Sequence, residues 1–122
     1  MIMKRVLIVD DAAFMRVTLK SMLENNGFEV VGEAENGIIG VQKYVELNPD
    51  VVTMDITMPE MSGIDALKEM KKINPNVKVV MISAMGQDML IRESVIAGAK
   101  SFIVKPFKEE FMVKTLTQVL GI

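Results

Sequence analysis

Five times along this chain a short run rich in Val and Ile gives way to a stretch whose apolar residues recur at helical spacing. That alternation constrains the fold more than any other feature. The extended runs are residues 5–9, 29–32, 51–54, 77–82 and 101–104. Several are near-continuous in Val and Ile with no polar-out alternation, the pattern of strands covered on both faces of a parallel sheet. Met15, Leu19, Met22 and Leu23 form the first helical stripe, which ends near Gly27. Asn36 caps a second helix carrying Ile38, Val41, Tyr44 and Val45 on one face and stopped at Asn48-Pro49. A third follows Ser62-Gly63, turns Ile64, Leu67 and Met70 inward and breaks at Asn74-Pro75. A fourth runs over about 88–97, and a fifth buries Met112, Leu116, Val119 and Leu120 before Gly121. Strands and helices in this alternation predict an α/β fold, a (βα)5 doubly wound parallel sheet, because right-handed crossovers leave few other arrangements. A closed eight-stranded barrel needs about 250 residues, and the chain has 122.

That length fits a single domain over residues 1–122, with no output domain expected. The longest apolar runs, such as Val6-Leu7-Ile8-Val9, fall far short of the roughly 20 residues that cross a bilayer. The run after Lys4 and Arg5 stops too early for a signal-peptide core, so the expectation is a cytoplasmic protein without membrane insertion. Lys plus Arg is 14 and Asp plus Glu is 16, a net charge of −2 that gives no general attraction to nucleic acid. His and Cys are both absent, which removes imidazole bases, thiolate nucleophiles and Cys/His zinc sites together. Any metal must be held by oxygen, and any proton chemistry falls to Asp, Glu, Lys or water. The 12 Met residues are read as fillers of the core and of helix faces.

In open sheets of this class, ligands sit beyond the carboxyl ends of the strands. The first run ends in Asp10-Asp11, the third at Asp55, the fourth at Ser83 and the fifth at Lys105-Pro106. If the first and third strands are neighbours, three carboxylates converge. Two such charges about 4 Å apart repel by about 4 kcal/mol at an effective dielectric of 20, and a divalent cation relieves that repulsion. An all-oxygen acidic pocket suits Mg²⁺, and a bound cation lets a phosphoryl group approach where it would otherwise meet anions. Lys105 and the Ser83 hydroxyl then complete a clamp for phosphoryl transfer, with the Asp55 carboxylate as nucleophile. Lone residues of these types have plainer uses: Asp11 could cap a helix, Lys105 and Ser83 could be loop residues, and Phe102 could be core. Their joint placement at strand ends favours chemistry.

The residues Val9-Asp10-Asp11, Met54-Asp55-Ile56-Thr57-Met58-Pro59 with Gly63, Ser83-Ala84 and Lys105-Pro106-Phe107 resemble the response-regulator receiver family of two-component signalling. The likeness extends over essentially the whole chain and is greatest to the family's stand-alone chemotaxis members. It implies strand order 2-1-3-4-5, with Asp55 accepting a phosphoryl group from the phosphohistidine of a chemotaxis-type sensor histidine kinase. It implies Mg²⁺ held by Asp10, Asp11, Asp55 and the backbone carbonyl of Thr57, phosphoryl contacts from Ser83 and Lys105, and a cis Lys105-Pro106 bond. Phe102 matches an aromatic switch that turns inward as Ser83 moves, and Leu90, Ile91, Lys100, Phe102 and Val104 become candidate contacts for a flagellar motor switch protein. The chain then acts as a monomeric switch and not as an enzyme on other molecules. Thr57 and Met85 are poor groups for positioning an attacking water, so dephosphorylation is expected to need a separate phosphatase. Three other readings remain: a phosphorelay intermediate passing its phosphoryl group to another histidine, an FMN carrier of flavodoxin-like topology, and a non-phosphorylated interaction module, which the presence of every residue the chemistry needs disfavours. The second is disfavoured by the Asp10-Asp11 loop and the lack of Trp.

Overall fold

A computed structural model describes residues 3–122. Its elements alternate along the chain as β1 (Arg5–Val9), α1 (Ala13–Asn25), β2 (Glu29–Ala34), α2 (Gly37–Leu47), β3 (Val51–Asp55), α3 (Gly63–Ile73), β4 (Val79–Ser83), α4 (Asp88–Ile96), β5 (Ser101–Val104) and α5 (Glu109–Leu120). The strands form one parallel sheet in the order β2-β1-β3-β4-β5. β3 and β4 are buried at every position, as their mostly apolar sequences require when helices cover both faces, with Thr53, Asp55 and Ser83 buried among them.

Alternate strand residues serve two cores. Val6, Ile8, Val80, Ile82 and Ile103 pack under Leu19 and Leu23 of α1 and Met112, Leu116 and Leu120 of α5. Leu7, Val9, Met54, Val79 and Met81 pack under Tyr44 of α2 and Ile64, Leu67 and Met70 of α3. Asn36 caps α2 by accepting from the Ile39 N–H at 2.9 Å, and Ser62 caps α3 by accepting from the Asp65 N–H at 3.2 Å.

Three expectations change. β2 and β3 extend to Ala34 and Asp55, and β4 begins at Val79 and reaches Ser83, which brings Asp55 and Ser83 into the sheet itself. In α2, Ile38 and Val45 are exposed, at 41% and 60%, and the buried face is Gly37, Gly40 and Tyr44. The reason is close approach: a Cβ on Gly40 would stand 3.0 Å from a Val9 methyl, so the helix lies on the sheet through its glycines, with Ile39 and Val41 half-buried beside them and Ile38 and Val45 left outside. On α4, Leu90 and Ile91, two of the candidate partner contacts, are half-buried against the α2/α3-side core, and the exposed apolar residues of that helix are Met89, Val95 and Ile96.

Met54 is fully buried in the strand that carries Asp55. Met54→Ala is expected to lower unfolding stability by about 2–5 kcal/mol in denaturant titration, the usual cost of an uncollapsed core cavity.

Candidate functional site

Strand register assembles the site. Val9 pairs with Met54, so Asp10 leaves β1 beside Asp55; Asp55 pairs with Ile82, so Ser83 lies one residue further on; Ser83 pairs with Val104, so Lys105 follows on the far side. The backbone keeps these ends in step: the Asp10 N–H donates to the Ala34 carbonyl at 3.0 Å, Ile56 N–H to Ile82 at 3.1 Å and Lys105 N–H to Ser83 at 2.8 Å. The Lys105-Pro106 bond is cis.

Asp10, Asp11 and Asp55 each offer a carboxylate oxygen within 4.8 Å of the others. Asp10 is buried and Asp55 nearly so, whereas Asp11 is exposed. Asp11 does not cap α1, whose N-cap is Ala12 without a side-chain bond; the Ala12 N–H instead donates to Asp10 Oδ1 at 2.9 Å. Lys105 Nζ lies 3.5 Å from Asp10 Oδ2 and 3.9 Å from Asp55 Oδ2, so one ammonium serves two carboxylates. Asp10 Oδ2 is otherwise buried without a hydrogen-bond partner. An under-coordinated carboxylate oxygen within an all-oxygen trio fits a hard divalent cation.

Burial raises the Asp55 carboxyl to about 6 from an ordinary 3.8; Lys105 pulls it down, while Asp10, Asp11 and a hydrogen bond shared with the Asp11 side chain push it further up. The Ser83 hydroxyl is wholly buried and has no partner. Thr57 is exposed, and Phe102 points outward with 42% exposure. Lys100 is exposed and Val104 half-buried.

Three positions matter more than their sequence context suggested. A Cβ on Gly63 would run into the Asp55 carbonyl oxygen, so the α3 N-terminus reaches the Asp55 backbone only because this residue is glycine. Arg16 donates to the Asp10 carbonyl at 2.7 Å and pairs with Glu33 at 3.4 Å, fixing the β1 end. Gln87 bonds to both Ala84 and Thr57. Gly63 already stands within the quoted motif, whereas no periodicity or spacing marks Arg16 or Gln87, whose partners come together only in three dimensions.

The sequence matches the response regulator receiver domain over residues 6–117, nearly the whole chain. The chain belongs to the response regulator receiver family. The chemotaxis protein CheY of Thermotoga maritima is 60% identical over 116 residues, covering 95% of this chain and 97% of that protein. CheY of Bacillus subtilis is 56% identical over 117 residues, covering 96% and 98%. The crystal structure of the CheX-CheY-BeF3-Mg complex from Borrelia burgdorferi contains a chain with a TM-score of 0.90 and 39% identity, covering 95% of this chain and 88% of that one. The acidic trio is thus the cluster typical of receiver domains, which act as switches. Among the described residues no helix is long and apolar enough to cross a membrane.

Because folding raises the Asp55 pKa, the native state binds the extra proton; through this group stability falls as pH rises from about 4 to about 6, and the full cost persists above that. In chelator, Asp55→Asn is therefore expected to be more stable than the parent at pH 7 by on the order of 2 kcal/mol, an advantage that shrinks toward pH 4 in thermal melts.

Proposed function

We propose that this chain is a chemotaxis response regulator that takes a phosphoryl group onto Asp55 from the phosphohistidine of a sensor histidine kinase, in a Mg²⁺-dependent reaction. The convergence of three carboxylates with Lys105 at one sheet edge carries the reading. In the transfer, an Asp55 Oδ forms a bond to phosphorus as the phosphorus–nitrogen bond of the donor breaks, and the freed imidazole takes a proton from solvent. Asp10, Asp11 and Asp55 would hold Mg²⁺ together with the Thr57 backbone carbonyl. When bound, the ion supplies positive charge that offsets the carboxylates and the phosphoryl oxygens. Lys105 Nζ, already 3.9 Å from Asp55, gives a phosphoryl oxygen a cationic partner. Ser83 donates from its hydroxyl once the loop after β4 moves; its present lack of a partner supports that role.

Apolar side chains are exposed on the elements that follow the β1 and β4 ends, Phe14 and Val17 on α1, Met85 in the β4–α4 loop and Met89 on α4, and this supports a protein donor as the physiological one. Signal output is read on the α4–β5–α5 face through Lys100 and Phe102, with Val104 at its edge and Met89, Val95 and Ile96 taking the place first given to Leu90 and Ile91. There a flagellar motor switch protein binds once the Phe102 ring turns inward. The family's CheY relatives support this chemotaxis assignment. Hydrolysis of the acyl phosphate returns the switch to rest. Neither Thr57 nor Met85 orients water well, so a phosphatase completes the cycle, and the Borrelia burgdorferi relative, solved as a CheX-CheY-BeF3-Mg complex, supports a protein partner of the CheX kind. We read the protein as a cytoplasmic monomer.

Incubation with acetyl phosphate is expected to yield one covalent phosphoryl group on the parent, mapped to Asp55 by mass spectrometry, dependent on Mg²⁺ and absent in Asp55→Asn. Modification at another residue, or equal labelling without Mg²⁺, would refute the assignment.

A further inference from the structure

Gln87 occupies the N-cap position of α4 but caps nothing there. Its carboxamide instead joins two loops: Oε1 accepts from the Ala84 backbone N–H at 2.8 Å, and Nε2 donates to the Thr57 hydroxyl at 3.0 Å. Thr57 stands two residues beyond Asp55, and Ala84 directly follows Ser83. One side chain therefore ties the β3–α3 loop to the β4–α4 loop beside the acceptor. The β4–α4 loop has little other anchorage at this point, since Ala84, Met85 and Gly86 are all exposed and Gly86 adopts a φ of +86°. Ser83, next to the tied residue, holds its hydroxyl buried with no hydrogen-bond partner. The tie thus stabilises an arrangement in which a group the chemistry needs stands idle.

We propose that Gln87 is a positioning residue that sets the resting state of the site, and that its link between Ala84 and Thr57 must release before Ser83 can reach a phosphoryl group on Asp55. This rests on Asp55 being the acceptor. The link opposes the working arrangement by the worth of its hydrogen bonds, so breaking it favours phosphorylation. A Gln87 that merely stiffened its own loop would affect thermal stability and leave the phosphorylation rate alone.

The test compares the parent with Gln87→Met, which keeps the side-chain length and removes both bonds, with Thr57→Val, which removes the hydroxyl and keeps the backbone carbonyl, and with the double variant. The readout is the initial rate of Asp55 phosphorylation by acetyl phosphate with Mg²⁺, followed by intact mass, alongside Mg²⁺ affinity. Thr57→Val is expected to react about fivefold faster than the parent, as loss of one net hydrogen bond implies, and Gln87→Met, which loses both, at least as fast as Thr57→Val. The double variant should be no faster than the faster single, Gln87→Met should keep the parent's Mg²⁺ affinity, and Thr57→Ser, which retains the hydroxyl, should lack the acceleration of Thr57→Val. Single variants no faster than the parent, or effects that multiply in the double variant, would overturn the proposal. A parent that takes up no phosphoryl group at all would instead defeat the reading of Asp55, so the two failures are separable.

Discussion

Charge crowding at the end of β1 and β3 is the constraint around which the rest of this protein is arranged. Three carboxylates meet within 4.8 Å, two of them largely out of water, and Lys105 returns a single positive charge. At such separations each like pair costs about 3 kcal/mol for an effective dielectric of 20. Three negative charges and one positive leave two uncompensated, the charge of one divalent ion. Asp55 registers this setting in its raised pKa, which burial causes first, with Lys105 opposing it and Asp10 and Asp11 adding to it. A fold that keeps such a cluster together must hold it rigidly, and this one does so with a fully buried central sheet on which Asp55, Ser83 and Lys105 stand at consecutive steps of the strand register.

Rigidity and movement are divided between strands and loops. The strand ends are tied by backbone hydrogen bonds that no side-chain change disturbs, and Gly63 brings α3 directly against the Asp55 carbonyl. The loops beyond them are held by weaker, replaceable contacts: the Gln87 carboxamide, the Lys105 ammonium shared between two acids, and a Ser83 hydroxyl held by nothing. A new charged group on Asp55 would compete for each of these. The two-state element is therefore built from side chains that already lack partners or divide them among several.

The architecture and the acidic trio were legible in the sequence because both depend on short-range signals: unbroken Val/Ile runs for a sheet buried on both faces, and polar residues that abruptly end those runs. Where the reading failed, the controlling contact was tertiary. Of the α2 stripe Ile38, Val41, Tyr44 and Val45, Tyr44 is buried and Val41 packs on the core, but Ile38 and Val45 stay outside because the close approach of Gly40 to Val9 sets which face meets the sheet. Leu90 and Ile91, named as partner contacts, are half-buried against the core beside α3, a packing that helical spacing alone does not reveal. Arg16 and Gln87 carried no signal because each is an ordinary polar helix-end residue until its partner loop is known. The same geometry sets aside an FMN carrier: the loop after β1 presents Asp10 and Asp11 where a ligand phosphate would need neutral amide donors.

The most direct measurement is a calorimetric titration of Mg²⁺ into the chelator-treated protein, run in parallel on Asp11→Ala. The account predicts one ion bound per chain by the parent and at least tenfold weaker binding by the variant, because one arm of the trio is gone. Parent and variant binding alike, or a parent that binds no Mg²⁺, would contradict the claim that these three carboxylates form one cation site.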